Sequence, residues 1–79
     1  MIRYITRNST YEVDGSRIRR THGENPSVLP APDGEWIEAD EVGTVVLGVP
    51  GDVEVLVATK DGRGLVMTSR IVETEEGLL

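Results

Sequence analysis

His22 is the sole imidazole in this 79-residue chain, and cysteine is absent. Nucleophilic catalysis needs a hydroxyl or thiol with a base held beside it. Ser9, Ser16, Ser27 and Ser69 supply hydroxyls, but none shares a motif with His22, which reads as a surface residue at a strand end. Carboxylates are plentiful: Glu35, Glu38, Asp40 and Glu41 lie close together, and Glu73, Glu75 and Glu76 follow near the end. Paired acids can cleave glycosides or hold divalent ions. A glycosidase cleft needs a far larger body, and no calcium-loop spacing is present, so these acids read as a solvated face. Gly62-Arg63-Gly64 is followed by neither Gly-Lys-Ser/Thr nor a helix start, so it reads as a turn and not a phosphate cradle. No catalytic, cofactor-binding or metal-ligating residues are therefore assigned, no cofactor is expected, and the chain is read as a non-enzyme.

The residues that could bind are of another kind. Arg17, Arg19 and Arg20 fall on one predicted strand, with Arg17 and Arg19 on one face and Arg20 on the other beside Ile18. They could protect an edge strand or contact phosphate or acid. Only Tyr4 and Tyr11 are near enough in sequence to interleave with them for base stacking. Trp36 is the single tryptophan, and there is no phenylalanine. It could plug a core otherwise poor in large aromatics, or anchor a contact, since tryptophan is prominent in interface hot spots. Trp36, Arg17, Arg19 and Arg20 are the candidate interaction residues.

These side chains must be carried by strands. Ile2 to Thr6 alternates, with Ile2 and Tyr4 on one face and Arg3 and Ile5 on the other. Thr10-Tyr11-Glu12-Val13, Asp14-Gly15 and Ser16-Arg17-Ile18-Arg19-Arg20 read as a hairpin. With Asp14-Gly15 as its tip, Val13 faces Ser16, Glu12 faces Arg17 and Tyr11 faces Ile18. Residues 23–34 hold three prolines and two glycines, which excludes a helix and predicts a surface loop. Glu35 to Glu38 reads as a short strand, and Ala39-Asp40-Glu41 as either its continuation or one helical turn. Val42 to Val49, Val53 to Thr59 and Leu65 to Val72 are the strongest strands. A Pro50-Gly51-Asp52 type II turn joins the first two, and Asp61-Gly62 forms the tip between the last two. That tip sets Ala58 against Leu65 and Val57 against Val66. From Glu73 the apolar pattern stops, and the tail is expected to fray.

The fold class is thus all-β: a small antiparallel barrel or sandwich, SH3-like or related, of five to seven short strands with at most one helical turn. It forms one small domain over residues 1–79. A chain this short buries only about 60–65% of its unfolded surface. With no disulfide available, good packing or homo-oligomerisation must compensate. No apolar run is long enough to span a membrane, no secretion signal is evident at Met1 to Arg7, and the absence of cysteine fits a cytoplasmic location. Net charge is −6, and it is polarised: residues 1–22 carry five arginines against two acids, residues 23–79 three cations against twelve acids. A generic nucleic-acid binder presents a basic surface, so nucleic acid is disfavoured as a partner, though a local arginine face remains open.

Tyr4-Ile5-Thr6-Arg7-Asn8-Ser9-Thr10-Tyr11-Glu12-Val13-Asp14 followed by Arg17-Ile18-Arg19-Arg20 resembles the opening of small uncharacterised proteins of actinobacterial phages. Asp33-Gly34-Glu35-Trp36 and Thr68-Ser69-Arg70-Ile71-Val72-Glu73 resemble the same group, and together the stretches cover about half the chain. The resemblance implies a phage or prophage accessory product in the host cytoplasm and carries no functional residues with it. The expectation is a protein-interaction module binding a host protein or itself. The alternatives are an acidic DNA mimic that blocks a nucleic-acid-binding protein, and a small barrel that binds RNA or DNA through the arginine strand.

Overall fold

The computed structural model describes residues 1–48 and 51–77. Among the described residues seven strands form: β1 (Ile2–Thr6), β2 (Ser9–Asp14), β3 (Arg17–Gly23), β4 (Ile37–Glu38), β5 (Glu41–Leu47), β6 (Val53–Lys60) and β7 (Arg63–Glu76). They make one curled half-barrel sheet, ordered β4-β3-β2-β1-β7-β6-β5, with every neighbouring pair antiparallel. The all-β barrel class holds, and among the described residues there is no helix. The helical turn considered for Ala39-Asp40-Glu41 is replaced by a bridge across the half-barrel. Ala39 N–H donates to Ser16 O, Asp40 N–H donates to Thr59 O, and Glu41 opens β5. The Pro50 corner lies outside the described residues.

The two Asp-Gly segments at hairpins, Asp14-Gly15 and Asp61-Gly62, make turns, but not in the same way. Asp61 and Gly62 both take positive φ (54° and 74°), the backbone a two-residue I′ turn requires. Lys60 accordingly pairs with Arg63. In the first hairpin only Gly15 has positive φ (62°), and the tip is Gly15-Ser16, so that Asp14 pairs with Arg17. The expected register is therefore corrected by two residues: Val13 faces Ile18, Glu12 faces Arg19 and Tyr11 faces Arg20. A slip of two preserves which face each side chain occupies. The register adopted sets Val13 on the fully buried Ile18 and supplies two acid–arginine pairs, Glu12–Arg19 and Asp14–Arg17.

β7 makes the sheet curl. Its first part pairs with β6 and its last part with β1, so it belongs to both halves of the half-barrel. Three register shifts fall along it, near Leu65, at Thr68-Ser69 and at Val72. Each sets an extra β7 residue against its neighbour, and bulges of this kind bend a strand and increase its twist. The first shift moves Ala58 from the expected Leu65 to Val66 and Val57 to Met67. At the second, Leu56 N–H donates to Thr68 Oγ1 at 3.1 Å, so the interrupted ladder leaves no buried donor unpaired there. The tail expected to fray is ordered as the end of β7: Glu73, Thr74, Glu75 and Glu76 pair with Ile5, Tyr4, Arg3 and Ile2.

The concave face holds the core: Tyr4, Tyr11, Val13, Ile18, Leu29, Leu56, Ala58, Val66 and Ile71, with Ala39. Ile18 and Leu56 are completely buried, and removing each from water is worth about 1.5–3 kcal/mol. Val55 and Leu56, neighbours on β6 whose side chains point to opposite faces, are both buried, so this strand is covered on two sides there, while Val57 is half-buried.

Candidate functional site

Trp36 is not in the core. It is half-buried beside β3, with the guanidiniums of Arg17 and Arg19 each 4.5 Å from its ring centroid. Residues two apart on a strand share a face and stand about 6.7 Å apart, so Arg17 and Arg19 flank the indole and both lie over its π system. Such contacts contribute about 0.5–1 kcal/mol each when exposed and more when desolvated. Directly after Trp36, Ile37 pairs with Ile18 and Glu38 with Arg17, which fixes the backbone that presents the ring.

The arginines are themselves held by carboxylates. Arg19 Nε donates to Glu12 Oε1 at 2.7 Å, and Arg17 Nη2 donates to Asp14 Oδ2 at 2.8 Å. Arg3, next to Glu12 across β1 and β2, reaches Glu12 Oε2 at 3.3 Å and Glu75 Oε1 at 3.2 Å. A continuous row, Glu75–Arg3–Glu12–Arg19–Trp36, thus crosses the outer face from β7 to β4. Glu12 is its centre, only 4% exposed because the two arginines cover it. Hydrogen bonding from Arg19 holds the Glu12 carboxyl below its ordinary range; burial opposes this, and Arg3 adds to it. The Arg17 hydrogen bond likewise lowers Asp14. Three guanidiniums (Arg3, Arg17, Arg19) meet three carboxylates (Glu12, Asp14, Glu75), so the charges within this ladder balance.

Of the four candidate interaction residues, three gather here and one does not. Arg20 points to the concave side, as its alternation with Arg19 requires, and is 6% exposed. Its Nε and Nη2 donate to the two oxygens of Asp33 at 2.7 and 3.1 Å, and Nη1 donates to Asn25 O. Gly34 N–H also donates to Arg20 O at 2.7 Å. Arg20 is the clamp that folds residues 24–34 against β3 and not a surface contact. A Cβ on Gly23 would lie 2.8 Å from Arg20 Cζ and 2.6 Å from Ser9 Oγ, so this position has room only for glycine while the clamp is closed.

Arg3, Glu12, Asp14 and Glu75 were not singled out from sequence as parts of this face. The available signal is the cross-strand match of Glu12 with an arginine, which a tip at Asp14-Gly15 gives to Arg17 and the observed tip gives to Arg19. Asp33 gave no signal, because its partner is thirteen residues away across an irregular loop. His22 stands exposed opposite Thr10 at the end of β3. Among the described residues no group of three His, Cys, Asp or Glu is placed to hold a metal ion, and no helix is long and apolar enough to cross a membrane.

The fold and this face define a small curled β-sheet domain with a tryptophan set between paired arginines. Comparison with protein-family models, curated proteins and solved structures finds no match.

Proposed function

We propose that this chain is a non-enzymatic protein-interaction module, with Trp36 as its anchor and Arg17 and Arg19 as the rim around it. The observation that carries this reading is the placement of the largest aromatic. Trp36 stays half-buried on the outer face while Tyr4 and Tyr11 fill the interior. Tryptophan and arginine dominate interface hot spots, and an anchor whose rotamer is fixed beforehand loses little entropy on binding. The ladder from Glu75 to Arg19 supplies that fixing. Direct RNA or DNA binding fits the face less well, since its guanidiniums already hold carboxylates and the indole is already covered by cations. The resemblance to actinobacterial phage proteins extends the reading to an accessory or host-modulating product acting on a host protein in the host cytoplasm.

The test is capture from actinobacterial lysate by purified wild type, Trp36→Ala and Trp36→Phe, each first shown to be folded by circular dichroism. A partner recovered by wild type and lost with Trp36→Ala is expected; recovery undiminished by Trp36→Ala overturns the reading. A second reading, an acidic mimic of nucleic-acid phosphates, draws on residues 35–59, which carry six carboxylates and no Lys, Arg or His. It predicts a basic partner whose binding collapses with salt and is indifferent to Trp36→Ala.

A further inference from the structure

The two edges of the sheet are finished differently. At one edge β4 is only two residues long, and the backbone of β3 beyond it is met by Gly34 N–H on Arg20 O. At the other edge, β5 pairs with β6 over seven consecutive residues without a register shift, and among the described residues no strand neighbours its outer side. Natural edge strands are blunted by lysine, proline, inward charge or a bulge. From Val42 to Leu47 the edge has none of these. Instead Val45, Val46 and Leu47 are exposed by 44%, 59% and 40%.

The charge around this edge selects what could cover it. Glu41 opens β5, Glu54 faces Val46 from β6, and Asp40 and Asp52 flank the two strands; all four are exposed. No cation occurs between residues 35 and 59. A second copy pairing edge to edge would bring the same acids together on both sides, which disfavours a symmetric dimer.

We propose that β5 is a docking strand for an extended segment of another protein, one that alternates apolar residues with lysine or arginine. Such a segment adds an eighth strand to the sheet through main-chain hydrogen bonds. Its apolar residues lie beside Val45 and Leu47 on one face of the sheet, and its cationic stems lie over Val46 on the other face and reach Glu54. This surface is separate from the Trp36 face and goes beyond the reading given above.

The probe is a short synthetic peptide alternating valine and lysine, compared with its valine–glutamate counterpart. Binding is followed by fluorescence anisotropy, with the β5 amides followed by hydrogen exchange. The lysine peptide is expected to bind at least about tenfold more tightly than the glutamate peptide, because like charges then face each other. It should slow exchange at β5 and lose affinity as salt rises. Val45→Lys/Val46→Lys, both at exposed positions, should abolish binding and leave the fold intact, whereas Trp36→Ala should leave it unchanged. Equal binding of both peptides, binding that survives the double lysine variant, or no slowing of exchange at β5 overturns the proposal. Concentration-dependent dimerisation of the free protein that the lysine variant abolishes also overturns it, since a second copy would then be the occupant.

Discussion

Glu12→Ala removes the centre of the ion ladder and tests whether the outer face is organised by it. Two charge-assisted hydrogen bonds are lost, from Arg19 at 2.7 Å and from Arg3 at 3.3 Å. Bonds to charged groups are worth about 1.5–3 kcal/mol each when buried. Arg3 and Arg19 are 39% and 29% exposed, so water recovers much of what each loses, and the expected cost falls to about 2 kcal/mol in total. For a domain of this size that is a drop in Tm of roughly 8–16 °C. Glu12→Gln keeps the shape and one acceptor, and should lose about half as much.

The pH dependence distinguishes an ionic role from a packing role. The folded carboxyl of Glu12 lies below its ordinary value, chiefly through Arg19. Its contribution is therefore complete above the unfolded carboxylate value of about 4.3 and is lost as pH falls through the lowered folded value. The Tm gap between wild type and Glu12→Gln should be widest near neutrality and close in acid below that point. Thermal melts by circular dichroism from neutral to strongly acidic pH measure both quantities. A Tm loss for Glu12→Ala of less than about 3 °C at neutral pH, or a Glu12→Gln gap that does not change with pH, would refute the reasoning.

Arg20→Lys should release residues 24–34, because an ammonium cannot reproduce the two-oxygen fork on Asp33 together with the bond to Asn25 O. A loss of about 2–3 kcal/mol and faster proteolysis within that loop are the readouts. Gly23→Ala should mimic it through the clash with the guanidinium and Ser9, with a similar new cleavage pattern and no change at Trp36. Gly62→Val places a β-branched residue at φ 74°, so it should cost about 1–3 kcal/mol by chemical denaturation. Leu56→Ala empties a fully buried position and should cost about 2–5 kcal/mol in the same assay.

What could be read in the sequence divides along physical lines. Alternation in Ile2–Thr6 and Thr10–Val13 gave the faces correctly, because a buried concave side enforces period two. Alternation is blind to a slip of two, so the register of the first hairpin was decided by which partner Val13 and Glu12 gained, and that is a packing matter. The bulges of β7 left no trace in composition, since an extra residue costs the pattern only a local change of phase. Residues 73–76 contain no apolar side chain and read as a frayed tail, yet backbone pairing with β1 and the Arg3–Glu75 contact hold them. Trp36 was open between core and surface. Two tyrosines and branched aliphatics fill the concave side, and the arginines of β3 give the indole cover outside it. Arg20 looked like its neighbours on the strand, and only the loop that closes over it revealed its separate task.

The long bent strand has a consequence for kinetics. Ile2 meets Glu76, nearly the full length of the chain away, so the two halves of the half-barrel can be sutured only by the most distant contacts the sequence offers. Hairpins at Gly15 and Gly62 can form early and locally, but neither brings β1 to β7. Searching for that last seam carries the greatest loop-closure entropy, which places assembly of this protein on the millisecond-to-second scale of small β domains and not the microsecond scale of helical ones.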